Sequence, residues 1–504
     1  AYVDGSTVNS SAGTIEVTAA SNATISALTI GAAGAITFAA GGSVSLNEIS
    51  NILDAHITNN AIVNASGQIS VLTVDRSTID ANAGGFGIAA VAAVGASIAT
   101  NDIDNLTWAY IDGSTVTSSG GTVNIAAASS SSVDAETLGG AGAIYVAGGA
   151  AVSTVDINNI IDASISGSHV NAGGDIKIKT DSLITVNNTA GGLGLAIVGI
   201  GAGIAKNTIH VAANASVGTG SVLDAGGNIE ITASSLANDE VNALAGAGGI
   251  VGLEASIATV VSDIDTSASL DSYAVITNAR NIVIAATSAS VQSVDADGAA
   301  IGGATVGLTK ADASETGTTQ AFVGSGAVIG DALDSAKQVD ALTITAKSDN
   351  LVSAHSTASS LGVISGQGSV ANADLSPAVQ AYIDGNSSVL TNNGITLQSL
   401  VTTDAEAVSG IDAVGVGVFI GSAPATATVH PDIDTEIRSG ASVRSVAGDV
   451  ALLSAHNYDP LSGAFLPGLG ATASTDLDTF SAGVNITPTD ISAKALADVN
   501  AQIG

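Results

Sequence analysis

Several residue types are scarce or absent in this sequence, and each absence excludes a class of site or partner. Its 504 residues include no cysteine and no methionine, and only 3% are aromatic. Without cysteine, neither a disulfide framework nor a thiolate metal site is possible. Lysine and arginine number 11 against 45 acidic residues, a net charge of −34, so the basic footprint that nucleic-acid binding requires is missing. The longest apolar run, residues 191–205, is shorter than the roughly 20 residues of a membrane-spanning helix. We therefore expect no nucleic-acid partner and no transmembrane segment.

Small and β-branched residues fill the chain instead. Glycine alone accounts for 60 residues, and 46% of the sequence is hydrophobic. That hydrophobic content is too high for a disordered acidic chain, and β-branched residues favour the pleated surface of a sheet. Helical periodicity is not evident, so the composition predicts an all-β fold.

The sequence repeats itself. The opening AYVDGSTVNSS at residue 1 returns as AYIDGSTVTSS at residue 109, and each such double unit contains two similar halves. An apolar residue that opens a strand marks every half, with neighbouring marks 53 to 60 residues apart; these nine landmarks are Ile15, Ile69, Val123, Ile176, Ile229, Ile282, Leu342, Ile395 and Val450. Nine copies at a nearly constant period indicate a repeat architecture.

Each repeat reads as three strands. In the third repeat we predict a short strand over Ala109–Val116 and longer strands over Gly121–Ala135 and Gly142–Ile157. The strand Gly121–Ala135 alternates with period 2, as a half-buried strand does. Like strands one period apart should stack side by side. The sequence therefore predicts a right-handed parallel β-solenoid of about nine coils of ~53 residues, flattened so that two long sheets lie about 10 Å apart.

The repeat array sets the predicted domain boundaries. We expect residues 1–454 to form one continuous array, and residues 455–504 to form a divergent last coil or the start of a following segment. The 60-residue spacing predicts an insertion around Asp331–Lys337.

Part of each repeat is apolar on both faces of its strand. Residues 88–98 and the matching stretch 193–205 alternate between two apolar sides, one of them made mostly of small residues. Strands that are apolar on both faces are normally covered on both faces. These stretches supply the candidates for a surface that packs against a neighbouring molecule, namely Val91, Ala93, Gly95, Ala196, Val198 and Ile200.

No cluster of residues resembles a reaction centre. The six histidines are scattered, and no nucleophile with partners stands out, so we expect neither an enzyme nor a bound cofactor. Five aspartates recur near one phase of the repeat: Asp4, Asp54, Asp112, Asp162 and Asp384. An Asp-Gly pair suits a turn, whereas carboxylates stacked on adjacent coils would need neutralising, so Ca²⁺ stays open as a ligand.

The cycle of AYIDGSTV, a Gly-x-apolar-x-apolar strand and a Gly/Ala-rich strand resembles the repeats of very large bacterial filamentous adhesins. The leukotoxin-family filamentous adhesins and, more distantly, the filamentous haemagglutinins are the best comparison, over nearly the whole chain up to about Ser454. The resemblance implies a secreted protein of the bacterial cell surface with an adhesive or structural role. It carries over no catalytic residues.

Several functions remain as alternatives. The first is a structural or adhesive repeat region that forms a rigid stalk or a self-associating extracellular filament, with copies of itself and a host or neighbouring-cell surface as partners. A calcium-binding module of an extracellular matrix or surface layer, or an ice-binding module, is the second. A β-helix polysaccharide lyase is the third, although it needs clustered acids near a basic residue, and the basic residues here are dispersed.

Overall fold

Nearly all of the chain is β-strand. The computed structural model describes residues 1–330 and 338–504, so the insertion predicted at residues 331–337 lies outside the described residues. Strands make up 82% of the structure, and the long strands stack in parallel along one axis. The predicted parallel β-solenoid is confirmed.

One coil consists of two long strands and one short strand. In coil 2, which starts at Ile69, the first long strand is Ile69–Ala89 and the second is Ala92–Asp112, followed by the short strand Thr115–Ser118. Each strand pairs in parallel with its equivalents one coil before and one coil after. A coil is therefore closed at one end by a tight turn between the long strands and at the other end by the short strand.

The same three strands recur along the chain. The first long strands are Ile15–Ala35, Ile69–Ala89, Val123–Gly142, Ile176–Leu195 and Ile229–Gly248. The second are Phe38–Thr58, Ala92–Asp112, Val146–Ser166, Val198–Val217 and Val251–Leu270. In coils 6 to 8 the long strands run together as Val275–Val323, Val339–Ile383 and Ile395–Ser422, the last continued by Ala425–Val429 and Asp432–Ile437. Separate short strands are Thr7–Ser10, Ile62–Ala65, Thr115–Ser118, His169–Ala172, Val222–Ala225, Val328–Ile329, Ser388–Thr391 and Ser442–Ser445.

The predicted strand limits are wrong in one respect. Residues 88–98 do not form one strand, because the turn at Ala90–Val91 separates the two long strands there. Residues 109–112, which we assigned to the short strand, end the second long strand instead. This turn of coil 2 consists of alanine and valine, so it carries none of the Gly, Pro, Asn or Asp signals that mark ordinary turns.

All nine landmark residues lie in one register. Each of them pairs with the landmark of the next coil, from Ile15 with Ile69 to Ile395 with Val450. Coil 9 continues the stack through Val450–His456, Ala471–Ser481, Val484–Ile486, Ile491–Ala495 and Asp498–Ile503. Residues 457–470 leave the stack and include a small antiparallel pairing of Tyr458–Asp459 with Ala464–Phe465.

The interior changes across the coil. Near the short strand, an end that we call the wide base, the core consists of isoleucine, valine and alanine side chains such as Ile125, Ile157 and Ile178. Near the turn between the long strands, which we call the thin edge, the first coils hold only glycine and alanine, and a Cβ built on Gly85 would overlap the carbonyl oxygen of Ala96 in the opposite sheet. The sheets therefore lie closer together at the thin edge than the 10 Å that we predicted, and the cross-section is a wedge.

The thin edge thickens towards the C-terminal coils. One inward position is glycine in coils 1 to 4, namely Gly41, Gly95, Gly149 and Gly201. The next coils place Glu254, Gly307 and Gln367 in the same register. The Glu254 carboxylate takes up the space where side chains on Gly298 and Gly307 would lie. Glycine on the neighbouring coil is thus what admits a larger inward residue.

Candidate functional site at the thin edge

The five candidate aspartates are not brought together. Asp4 lies beside Thr58 and Asp112 beside Ser166, while Trp108 separates Asp54 from Asp162 in a second column. Their carboxylates bind local partners instead: Asp162 accepts hydrogen bonds from Ser164 Oγ at 2.7 Å and Asn214 Nδ2 at 3.0 Å. Asp54 contacts His56, and Asp384 lies 3.7 Å from the Arg438 guanidinium. These positions form no carboxylate ladder, which corrects the stacked arrangement considered above.

A real carboxylate column lies elsewhere. Glu48, Asp102 and Asp156 face outward from the second long strands of three successive coils and pair directly in register. Burial, followed by the charges of Asp156 and Glu48, raises the pKa of Asp102. The three residues are spaced by the repeat period. An alignment of the repeats, position by position, would therefore have placed these three acids in one column. Among the described residues, no three His, Cys, Asp or Glu side chains are arranged to hold a metal ion.

The turns at the thin edge form an apolar ridge. Stacked along the axis, their large side chains are between 38% exposed at Ile197 and 83% exposed at Ile36. The ridge comprises Ile36, Val91, Ile144, Tyr145, Ile197 and Ile250. Single exposed apolar residues are common on protein surfaces, whereas a contiguous apolar row marks an interaction surface.

The outer surface of the first long strands, which we call the first face, carries a checkerboard beside this ridge. Large and small residues alternate from coil to coil: one column reads Ile30, Gly84, Leu138, Gly191 and Leu244, and the next reads Ala32, Phe86, Gly140, Leu193 and Gly246. Each large side chain leans over the glycine of a neighbouring coil. Leu138 Cδ2 lies 2.9 Å, and Leu193 Cδ1 2.8 Å, from where a Cβ on Gly191 or Gly246 would be. The alternation has a period of two coils, the same period as the 108-residue spacing between the near-identical stretches at residues 1 and 109.

The checkerboard leaves a shallow hollow on the first face. It has a volume of about 750 Å³ and spans several coils. Its walls are mainly apolar side chains and bare glycine backbone, with Asp297 at one end. Such a surface can bury an apolar partner but offers few hydrogen-bonding groups to orient a polar substrate.

The outer surface of the second long strands, the second face, is smoother. A row of small residues runs along it, namely Gly42, Ala96, Ala150, Ala202 and Ala255. On one side of this row lie Val44, Ile98, Val152, Ile204 and Ile257. The row on the other side mixes small and large residues and reads Ala40, Val94, Gly148, Ile200 and Leu253. The second face therefore has one continuous apolar row parallel to the solenoid axis, beside a row of small residues.

The six assembly candidates divide between surface and interior. Val91 lies on the ridge and Ile200 points outward, while Ala196 and Val198 are half-buried near a turn. Ala93 and Gly95 point inward, so those two cannot belong to a surface, which corrects the prediction. Because the interior of the thin edge in coils 1 to 4 has room only for small residues, the small side of each strand there faces in and the larger side faces out.

The outer surface of the thin edge carries no charge in coils 1 to 5, although the molecule as a whole is strongly acidic. Residues 26–47, 81–101, 137–155, 189–205 and 241–253 contain no Asp, Glu, Lys, Arg or His. These stretches are the parts of coils 1 to 5 that surround the turn between the long strands. The charges, including the column at Glu48, lie nearer the wide base.

Comparison of the chain with protein-family models, with curated proteins and with solved structures found no match. Over residues 1–330 and 338–504, the structure contains no helix long and apolar enough to span a lipid bilayer.

Proposed function

We propose that this chain is a structural repeat segment of a large secreted bacterial surface protein, and that it associates through its thin edge with copies of itself. One observation carries the proposal: the uncharged apolar surface formed by the ridge and the two faces beside it. The extracellular bacterial setting rests on the resemblance of the repeat cycle to filamentous adhesins.

The charge distribution favours a second copy as the occupant of this surface. Two chains of net charge −34 repel each other wherever their acidic surfaces approach. Contact at the thin edge keeps the charged residues near the base away from the interface. Burying the ridge would also remove large apolar side chains such as Ile36 and Ile250 from water, which favours association.

The available area is sufficient for a stable contact. Nine coils at about 4.8 Å make a stack about 43 Å tall, and about five uncharged residues at about 3.3 Å make a strip about 17 Å wide. One face then offers on the order of 700 Å² per copy. Each partner in a standard protein interface contributes about 800 Å², so one face together with the ridge reaches that size.

Sedimentation velocity over a range of protein concentrations, with electron microscopy of the same samples, tests the proposal. We expect the unmodified chain to form side-by-side assemblies, and the Ala92→Lys/Ala96→Lys variant to remain single because its lysines charge the second face. The matched control is Ala126→Lys/Ala128→Lys, which places the same change on outward positions of the first long strand of coil 3, outside the uncharged stretches. The control should assemble like the unmodified chain.

Two results would overturn self-association. One is a chain that stays single at every concentration, and the other is assembly that the Ala92→Lys/Ala96→Lys variant leaves unchanged. Co-flotation with neutral phosphatidylcholine vesicles, abolished in that variant, would identify a lipid surface as the occupant instead.

A further inference from the structure

A box of buried oxygen atoms lies inside the solenoid between coils 5 and 6. Asp239 and Gln292 are register neighbours on the first long strands, and Ser262 and Glu315 are register neighbours on the second. All four residues are at most 4% exposed. Gln292 Nε2 donates a hydrogen bond to Glu315 Oε2, which joins the two sheets across the interior. Ser290 is buried two residues before Gln292 and faces the same way.

The box has more acceptors than donors. Two of its oxygen atoms have no hydrogen-bond partner, namely Asp239 Oδ2 and Gln292 Oε1. The hydroxyls of Ser262 and Ser290 lie against the Glu315 carboxylate and donate to it. Outside the box, Asn207 Nδ2 donates to the other oxygen of Asp239. Buried polar groups are nearly always paired, so two unpaired acceptors on neighbouring strands call for a further partner, a proton or a cation.

A second buried aspartate shows how the same fold satisfies a carboxylate with donors alone. Asp75 accepts hydrogen bonds from Asn51 Nδ2 at 2.9 Å, Asn105 Nδ2 at 2.8 Å and Ser77 Oγ at 3.0 Å. Asparagines from two coils therefore surround that single charge. In the box, Glu315 has three side-chain donors, whereas Asp239 has Asn207 alone and keeps one oxygen unpaired, so Asp239 differs from a satisfied buried carboxylate.

We propose that the box formed by Asp239, Gln292, Ser262, Ser290 and Glu315 binds one calcium ion. Two carboxylates supply the two negative charges that a divalent cation neutralises. The amide oxygen of Gln292 and the two hydroxyls complete a set of hard oxygen ligands from both sheets. Ca²⁺ accepts six to eight such ligands in flexible geometry, whereas Mg²⁺ retains several water molecules, for which this close-packed interior is poorly suited.

Protons compete with the metal for the same groups. Burial raises the pKa of Asp239 to about 7, and burial together with the charge of Asp239 raises that of Glu315 to about 8.

Because the box is enclosed, the experiment loads it during folding. The full chain is unfolded in a denaturant that contains a chelator, and is then refolded with or without CaCl₂. After dialysis, bound calcium is measured by mass spectrometry. The thermal midpoint of each sample is measured last. We expect about one retained Ca²⁺ per chain and a higher midpoint for the calcium-loaded sample. The variant Asp239→Asn/Glu315→Gln keeps the side-chain shapes, so we expect it to fold, as circular dichroism will verify, and to retain no calcium.

The matched control is Glu240→Gln, which neutralises the outward-facing neighbour of Asp239 on the same strand and should leave calcium retention unchanged. Absence of retained calcium in the unmodified chain would overturn the proposal and leave the box to protons. Equal retention in Asp239→Asn/Glu315→Gln would also overturn it, and would direct attention to the surface column Glu48, Asp102 and Asp156. Neither result bears on self-association, which is measured separately by sedimentation.

Discussion

The wide base and the thin edge of one coil are built from the same strands in the same register, yet they place their large side chains on opposite sides. At the base, Ile178 and Ile157 point inward and are fully buried. At the edge, Leu195 and Ile200 point outward, while Gly194 and Gly201 face the opposite sheet. The difference teaches that the space between two sheets, and not hydrophobicity alone, decides which side of a strand becomes the interior.

The largest expected effect is the difference in stability loss between a truncated side chain at the wide base and one at the thin edge. Ile178→Ala at the base should lower the free energy of unfolding by about 2–5 kcal/mol, because it leaves a cavity in a closed core. Leu195→Ala at the edge should cost about 1 kcal/mol or less, because that side chain is already half-exposed. Guanidinium unfolding followed by circular dichroism gives both values. Equal losses would contradict the outward placement of large residues at the edge.

A pH titration probes the one acid buried within the thin edge. Both carboxylate oxygens of Glu254 lack hydrogen-bond partners, and burial raises the pKa of this group to about 8. A raised pKa means that the folded chain holds the proton more tightly than the unfolded chain does. The stability that Glu254 contributes is thus complete below about pH 4.3 and is lost as the pH rises to about 8.

The slope from this one group is at most about 1.4 kcal/mol per pH unit. Thermal midpoints measured in chelator from pH 4 to 9 should fall less steeply in Glu254→Gln than in the unmodified chain. Asp239 and Glu315 have the same sign and remain in that variant, so part of the slope should persist. An unchanged slope would mean that Glu254 does not hold its proton in the folded state.

Two neighbouring glycines test the close approach of the sheets. A Cβ on Gly149 would overlap the carbonyl oxygen of Leu193 in the opposite sheet, whereas a Cβ on Gly148 would point into open space. We expect Gly149→Ala to cost about 1–3 kcal/mol through overpacking. Gly148→Ala should be neutral or stabilise by a few tenths to about 1 kcal/mol, through the reduced freedom of the unfolded chain. Denaturant midpoints compare the two, and similar values would argue against a glycine-lined interior.

The smallest expected effect concerns the charges near the base. Asp102→Asn removes the middle carboxylate of the column Glu48, Asp102 and Asp156, and so relieves repulsion on both sides. The variant should gain about 0.2–1 kcal/mol at low salt. Thermal midpoints should converge with those of the unmodified chain as salt is added, because salt screens exposed charges. A loss of stability at low salt would contradict repulsion between the stacked carboxylates.

The repeat period was enough to predict the coils. Nine landmark residues recur at nearly constant spacing, and a parallel ladder places such residues side by side, so the sequence predicted both the solenoid and its register. The residues at which each strand begins and ends could not be predicted from the sequence as well. The turn at Ala90–Val91 has the same small apolar composition as the strands that it joins, and no residue preference marks it.

The site was only partly predictable for a related reason. Apolar residues on both sides of the strand indicated an exposed apolar surface, but the choice of Ala93 and Gly95 assumed the usual interior of large residues. The oxygen box escaped notice because its members do not repeat. Gln292 follows Asp239 by one coil, and Glu315 lies on the other long strand of that same coil, so only the folded register brings these different residue types together.

The checkerboard of the first face imposes a parity rule on how such an array can change its length. Deleting coil 3 would place Gly84 beside Gly191 and Phe86 beside Leu193, which leaves a void in one column and crowds the next. Deleting coils 3 and 4 together would instead set Gly84 beside Leu244 and Phe86 beside Gly246, and so restore the alternation. We therefore expect recombination within coils 1 to 5 to be tolerated when it adds or removes two coils at a time. The pair of coils is then the unit by which the array can lengthen or shorten.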